Sequence, residues 1–163
     1  MSIKEETANT YIIPRKNERE LDVKIQLGTG KLYLDGSTEE IMEGLFTVMG
    51  ESTEPDIEYD ISETGKGTLV VPQRSINSWK NLRSAKQKWD IALNGELPLT
   101  LKLELGAGKS RLGLSRLNLV DVHIESGIGE TEIDLTGDWK KSFKMKIDTG
   151  VGKMKIRLPS RSA

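Results

Sequence analysis

Residues 99–108 read LTLKLELGAG, a segment in which leucine alternates strictly with polar residues before a Gly-x-Gly triplet. Alternation with a period of two is typical of a β-strand that buries one face. Glycine tolerates positive φ and a close backbone neighbour, so the triplet predicts a corner. Because Leu112 and Leu114 resume the alternation, this stretch predicts a unit of strand, glycine corner and strand.

The same unit recurs along the chain. Alternating segments run into a Gly-x-Gly triplet at five places, whose first glycines are Gly28, Gly65, Gly106, Gly127 and Gly150. The last three glycines lie 21 and 23 residues apart, and the earlier steps of 37 and 41 residues are close to twice that period. Two turns without the glycine signature, near Gly44 and near residues 89–93, are expected to fill the longer gaps.

A period of about 20 residues that holds two short strands is typical of a β-solenoid, a fold similar to the parallel β-helix. Each rung lies on the one before it, and the inward Leu, Ile and Val of successive rungs form buried columns. An antiparallel β-sandwich is the alternative, because alternating strands joined by glycine turns serve it equally well. We predict the all-β solenoid, since sandwiches rarely repeat one corner chemistry at one spacing.

The length of the chain, 163 residues, favours one domain with enough residues to bury a core. Residues 1–20 are polar and are predicted to form a partly ordered lead-in. Residues 21–163 hold the repeated units, and we predict that they form a single solenoid domain.

Composition removes most classes of enzyme. The 24 basic and 25 acidic residues nearly balance, which argues against a nucleic-acid partner. The absence of cysteine excludes disulfides, thiolate zinc sites and cysteine nucleophiles, and the single histidine makes a Ser-His pair improbable. No apolar run approaches the roughly 20 residues of a membrane helix. We therefore predict a non-enzymatic protein with no catalytic, cofactor or metal site.

Three features resemble functional motifs without meeting their requirements. Residues 106–110, GAGKS, end like a phosphate-binding loop, but that motif needs glycine where Leu103 stands. His123 alternates outward without a nucleophile placed beside it, so a structural role is expected. The acidic stripe at Glu54, Asp56, Glu58 and Asp60 shares one strand face but lacks a loop that would converge its oxygens on calcium.

Exposed aromatic and basic side chains are the candidate contact residues. A local basic cluster could meet an anionic polymer or lipid headgroups. Trp139 is expected to cover the side of the solenoid, whereas Trp89 alternates with Ile91 and Leu93 and is expected in the core. The predicted contact set is Trp79, Trp139, Lys80, Arg83, Lys86 and Lys88.

Residues 94–108 (NGELPLTLKLELGAG), with residues 112–119 (LGLSRLNL) and 124–130 (IESGIGE), resemble the bacterial toast-rack domain family. That family is similar to the domains of cell-wall-active antibiotic response proteins of the LiaF-like group and to adhesin-like proteins. The shared motifs consist of packing and turn residues, so they point to a fold and transfer no catalytic residue.

The resemblance implies a β-solenoid of the cell envelope, extracytoplasmic or attached to a membrane protein, and leaves a cytoplasmic location open. It implies a scaffold or adhesin-like module that binds a protein or cell-surface polymer. The alternative is a regulatory domain of a membrane-associated envelope-stress protein, and a remote alternative is a polysaccharide-active enzyme. The chain is expected to be a piece of a longer protein, to meet membranes only through segments missing here, and to self-associate at unpaired rung edges.

Overall fold

The computed structural model describes residues 6–49, 56–72, 86–137, 139 and 141–159. These residues form nine β-strands and contain no helix, so none of them belongs to a helix long and apolar enough to cross a membrane. The strands are β1 (Glu6–Ile13), β2 (Glu20–Thr38), β3 (Met42–Met49), β4 (Glu58–Ile61), β5 (Lys66–Pro72), β6 (Lys86–Asn94), β7 (Pro98–Gly113), β8 (Asn118–Asp134) and β9 (Lys144–Arg157).

Four long strands form a parallel stack in the order β2, β7, β8 and β9. Their glycine corners are aligned, because Gly30 pairs with Gly108, Gly108 with Gly129, and Gly129 with Gly152. Each strand therefore bends at the same level as its neighbour, and each half-strand is one side of a rung. The predicted solenoid of rungs with glycine corners is confirmed, and the antiparallel sandwich is not the fold.

Steric demand explains glycine at the corners. Gly108 has a φ of 134°, a conformation that side-chain-bearing residues rarely adopt. A Cβ placed on Gly108 would also overlap the carbonyl oxygen of Gly30 on the preceding rung, and one on Gly129 would overlap that of Gly108. The corner position is consequently restricted to glycine for two reasons, its backbone conformation and the close stacking of the rungs.

The side of β2 away from β7 is covered by two separate strands. β5 pairs with the first half of β2, where Leu21 faces Gly67, and β6 pairs with the second half, where Leu34 faces Ile91. β3 then adds antiparallel to β6, β1 adds antiparallel to β3, and β4 adds antiparallel to β5. Residues 6–13 of the polar lead-in thus form an edge strand, while the predicted domain boundary at residue 20 stays a prediction.

The earlier part of the repeat differs from the prediction. Gly65 lies in the turn that joins antiparallel β4 and β5, where its N–H donates a 3.1 Å hydrogen bond to the Ser62 carbonyl. The predicted corner at Gly65 is therefore wrong. Of the two solenoid turns predicted without the glycine signature, the one at residues 89–93 is present, because β6 stacks parallel on the second half of β2. The one near Gly44 is wrong, because β3 pairs antiparallel with both β6 and β1. A glycine pair permits a sharp change of direction, but non-local strand pairing decides whether the chain continues or folds back.

The inward residues form the buried columns that alternation predicts. Ile25, Leu103 and Ile124 occupy one register position in three successive strands, and each is fully buried. Trp89 is also fully buried, as predicted, and donates a 2.8 Å hydrogen bond from Nε1 to Oε1 of Gln87. Within the described part of the chain, every buried polar side-chain atom has a hydrogen-bond partner, which removes a large desolvation cost.

Candidate binding surface

A groove crosses the outward face of the sheet at the level of Tyr33. Five strands contribute one residue each to a single row, because Thr10 pairs with Leu45, Leu45 with Asp90, Asp90 with Tyr33, and Tyr33 with Arg111. Directly paired residues in a sheet project to the same face, so this row forms a continuous surface. Residues of this row and the next line a groove of about 360 Å³.

Two cations flank the aromatic ring in this groove. Nζ of Lys88 lies 5.3 Å from the centroid of the Tyr33 ring, and the guanidinium carbon of Arg111 lies 6.0 Å from it. Such cation–π contacts contribute about 0.5–1 kcal/mol at exposed sites and restrict the orientation of the ring. Lys88 is also 4.0 Å from a carboxylate oxygen of Asp90. The groove therefore offers an aromatic ring, a planar hydrogen-bond donor and an acceptor side by side.

Small residues keep the groove open. Ala92, which pairs with Asp35, and Gly113 both line it. A Cβ on Gly113 would lie 3.5 Å from the Leu34 carbonyl oxygen and 3.7 Å from Cβ of Asp35, which are ordinary contacts. A side chain is therefore sterically possible at residue 113, and its absence leaves space beside Asp35.

The structure places one predicted contact residue, Lys88, over the Tyr33 ring at the border of this groove. Lys86 begins β6, and Trp79, Lys80 and Arg83 lie outside the described residues, so their contact roles stay predictions. Trp139 is half-buried away from the groove. Its ring packs on Phe143 with a centroid distance of 4.8 Å, and its Nε1 donates a 2.6 Å hydrogen bond to the Leu135 carbonyl.

Sequence reasoning missed Tyr33 and Arg111. Tyr33 stands between two buried leucines, so alternation alone places it on the outward face. Tyr33 follows Gly30 by three residues, and Arg111 follows Gly108 by three residues. Aligning the two glycine corners would therefore have placed these side chains next to each other on adjacent rungs.

A second polar cluster lies on the other half of the rungs. Nε2 of His123 is 2.9 Å from Oδ2 of Asp148 and 3.5 Å from Oε1 of Glu125. The hydrogen bond with His123 holds the pKa of Asp148 below its usual value. Ligand atoms of these three residues lie within 4.8 Å of one another and could hold a cation. Nζ of Lys146 lies 3.9 Å from the same Asp148 oxygen and already supplies positive charge there.

The acidic stripe does not converge in the described part of the chain. Asp56, Glu58 and Asp60 are exposed on or next to β4, and Glu54 lies outside the described residues.

The glycine triplet that precedes Lys109 and Ser110 lies within β7, which continues as a strand through Gly113. A phosphate-binding loop would instead open a helix whose N–H groups face the phosphate.

The stacked parallel rungs and aligned glycine corners define an all-β, solenoid-like protein. The chain belongs to the family described as the N-terminal domain of toast_rack, whose sequence model matches residues 2–157. The resemblance seen in the glycine-corner motifs is therefore confirmed. No protein of curated function matches the sequence.

A solved bacterial structure has the same fold. A "putative cell adhesion protein" from Clostridium sporogenes is 28% identical with a TM-score of 0.88, and the match covers 95% of this chain and 73% of that one. A "putative adhesin" from Parabacteroides distasonis is 11% identical with a TM-score of 0.33, and the match covers 93% of this chain and 70% of that one. A "putative adhesin" from Bacteroides fragilis is 12% identical with a TM-score of 0.25, and the match covers 94% of this chain and 97% of that one.

Proposed function

We propose that this chain is a non-enzymatic, adhesin-like module of the cell envelope that binds a protein or a cell-surface polymer. The observation that carries the proposal is the likeness to the Clostridium sporogenes protein over 95% of the chain, because its description names cell adhesion. The same likeness supports an extracytoplasmic or membrane-associated location as part of this proposal.

The groove at Tyr33 is the contact surface in this proposal. Arg111 is exposed and can donate two parallel hydrogen bonds to a carboxylate, sulfate or phosphate. The Tyr33 ring supplies a rigid apolar surface with a polar end, which is a common combination at binding sites. Asp90 can accept hydrogen bonds from hydroxyl groups of a polymer at the same place.

The test is binding of the full chain to an array of cell-surface glycans, purified cell-wall polymers and extracellular matrix proteins. We expect binding that the double variant Tyr33→Ala/Arg111→Ala reduces at least about tenfold, the loss of roughly 1.4 kcal/mol of binding free energy. Gly113→Leu should reduce binding similarly, because its side chain fills the groove. The matched control, Lys24→Ala, removes an outward cation from the other half of β2, away from the groove, and should bind as the parent does.

Two results would contradict the proposal. One is full binding by both groove variants, which would place the contact elsewhere. The other is turnover of any bound polymer, measured as release of shortened products, which would make the protein an enzyme.

A further inference from the structure

The last rung leaves a backbone edge of the sheet unpaired. Among the residues that the structure describes, β9 pairs only with β8. Ile156 of β9 is 40% exposed, whereas Ile133, its partner in β8, is 1% exposed. Met154, on the same half of β9, is likewise only half-buried. An edge of this kind offers free N–H and C=O groups together with an incompletely covered apolar row.

Charge at this edge follows a regular alternation. Three neighbouring strands carry opposite signs at the same register positions: Lys109 and Arg111 on β7, Glu130 and Glu132 on β8, and Lys153 and Lys155 on β9. The β8 carboxylates approach the β7 cations at 3.8 Å and 3.7 Å. In the described part of the chain, Lys153 and Lys155 have no carboxylate within 4.0 Å. The basic row of β9 therefore lacks an acidic neighbour on its open side.

A complementary edge lies on β4, at the other end of the molecule. Within the described ranges, β4 pairs only with β5, which leaves its second side open. Asp56, Glu58 and Asp60 are exposed and point outward, while Ile57 and Tyr59 alternate with them and pack against the core. This edge therefore has an acidic outer row and an apolar inner row with the same period as the rows of β9.

We propose that copies of this chain associate head to tail, with the β4 edge of one copy adding to the β9 edge of the next. In the joined sheet, the acidic row of β4 lies beside Lys153 and Lys155 on the outer face. Ile57 and Tyr59 continue the inner apolar row. The partner at the β9 edge is a second copy of this chain. The reason is that the β4 edge of the same chain carries the acidic and apolar rows that complement the basic and apolar rows of β9.

Other pairings of the edges are less favourable. Two β9 edges would place lysines beside lysines, and like charges across neighbouring strands are destabilising. β1 exposes Ala8, Thr10 and Ile12, which carry no charge for the lysines to meet. A β4-to-β9 contact uses two different surfaces, so it leaves a free edge at each end and builds chains of copies. This association uses no residue of the Tyr33 groove and stands apart from the proposed ligand binding.

The experiment measures the weight-average mass of the full chain by light scattering as protein concentration rises. At about 0.02 M salt, we expect the mass to rise well above 18.2 kDa. At about 0.5 M salt, the mass should return to the monomer value, because screening weakens exposed ion pairs. β4 has only four residues, so the contact is short and dissociates on dilution.

Charge reversal identifies the two edges. Lys153→Glu/Lys155→Glu should remain monomeric at low salt, and so should Glu58→Lys/Asp60→Lys. An equimolar mixture of these two variants should associate again, because each now offers an edge that complements the other. The matched control, Lys24→Glu/Lys31→Glu, makes the same change of charge on the central strand β2 and should associate as the parent does. Circular dichroism of each variant establishes that it is folded.

Three results would each overturn the inference. The first is a parent protein that stays monomeric at low salt and high concentration. The second is equal loss of association in the β9 variant and the β2 control, which would make net charge the cause. The third is a folded pair of edge variants that fails to associate when mixed.

Discussion

The hydroxyl of Tyr59 on β4 donates a 2.5 Å hydrogen bond to Oε2 of Glu18, a carboxylate that is only 4% exposed. The second oxygen, Oε1, accepts a 2.6 Å hydrogen bond from the Lys16 N–H. Gly67 makes room for this contact, because a Cβ there would overlap the Tyr59 hydroxyl. The pair joins the segment before β2 to β4, two parts of the chain that are 41 residues apart.

Removing the Tyr59 hydroxyl should destabilise the fold. Tyr59→Phe leaves a buried carboxylate oxygen without its donor, which costs about 1–3 kcal/mol of unfolding free energy at neutral pH. Denaturation in urea measures the change. The control is Tyr33→Phe, which removes a hydroxyl from a partly exposed tyrosine of the groove and should change stability by less than about 0.5 kcal/mol. Equal stability of Tyr59→Phe and the parent would show that the hydrogen bond contributes nothing net.

The same pair predicts a dependence of stability on pH. Burial raises the pKa of Glu18, but hydrogen bonds from Tyr59 and backbone N–H groups and the charge of Arg15 outweigh it, so the pKa lies below its ordinary value of 4.5. A lowered pKa in the folded state stabilises the protein above pH 4.5 and loses that contribution as the pH falls through the folded pKa. The stability difference between the parent and Glu18→Gln should therefore shrink in acid. A difference that grows in acid would contradict the assignment.

At high pH, Tyr59 makes the stability of the fold depend on pH in the opposite direction, so that stability falls as the pH rises. Burial, followed by the hydrogen bond to Glu18 and its charge, raises the pKa of Tyr59 above its ordinary value of 10.0. The unfolded chain then loses its phenolic proton first, so the contribution of Tyr59 to stability declines as the pH rises above 10.0. Denaturation of Tyr59→Phe across this range should show a smaller decline than that of the parent.

A side chain at an aligned corner should be far more damaging than one at the groove. Gly108→Ala combines a φ of 134° with overlap of the Gly30 carbonyl oxygen, so we expect a loss of at least about 3 kcal/mol. Gly113→Ala makes the same chemical change in the same strand, where only ordinary contacts result, and should cost less than about 1 kcal/mol. Thermal unfolding of the two variants provides the comparison, and similar melting temperatures would contradict the steric account.

Trp139 should matter for stability rather than for binding through the groove. Trp139→Ala removes the ring packed on Phe143 and the hydrogen bond to Leu135, and we expect a loss of about 1–3 kcal/mol for this half-buried side chain. Trp139→Phe keeps part of the packing and should lose less. Chemical denaturation and ligand binding measured on the same samples separate the two roles. Lost binding with unchanged stability would make Trp139 a contact residue.

The hydrogen bond between His123 and Asp148 can be tested directly. This bond, more than the charge of Lys146, holds the pKa of Asp148 below 3.8. His123→Ala should therefore move the carboxyl titration of Asp148, followed by NMR, upward toward 3.8. Lys146→Ala should move it less. The opposite ranking would identify the lysine charge as the main cause.

The sequence by itself determined the strands, the buried columns and the stacked corners at Gly106, Gly127 and Gly150. These features are local, because alternation reports which face of a strand is buried and glycine pairs report where backbones come close. The regular spacing of 21 and 23 residues then indicates that identical rungs are stacked. Trp89 could be placed in the core for the same reason, since it alternates with two aliphatic residues.

Only the tertiary structure decided what surrounds β2 on its other side. The Gly65 pair has the same local chemistry as the corners, yet it joins a hairpin, because the pairing partner of a strand is chosen by distant residues. The contact between Lys88 and Tyr33 spans 55 residues and exists because β6 pairs with the second half of β2. Alternation assigns a side chain to a face, but the distance between two side chains on that face depends on strand order, which no local pattern contains.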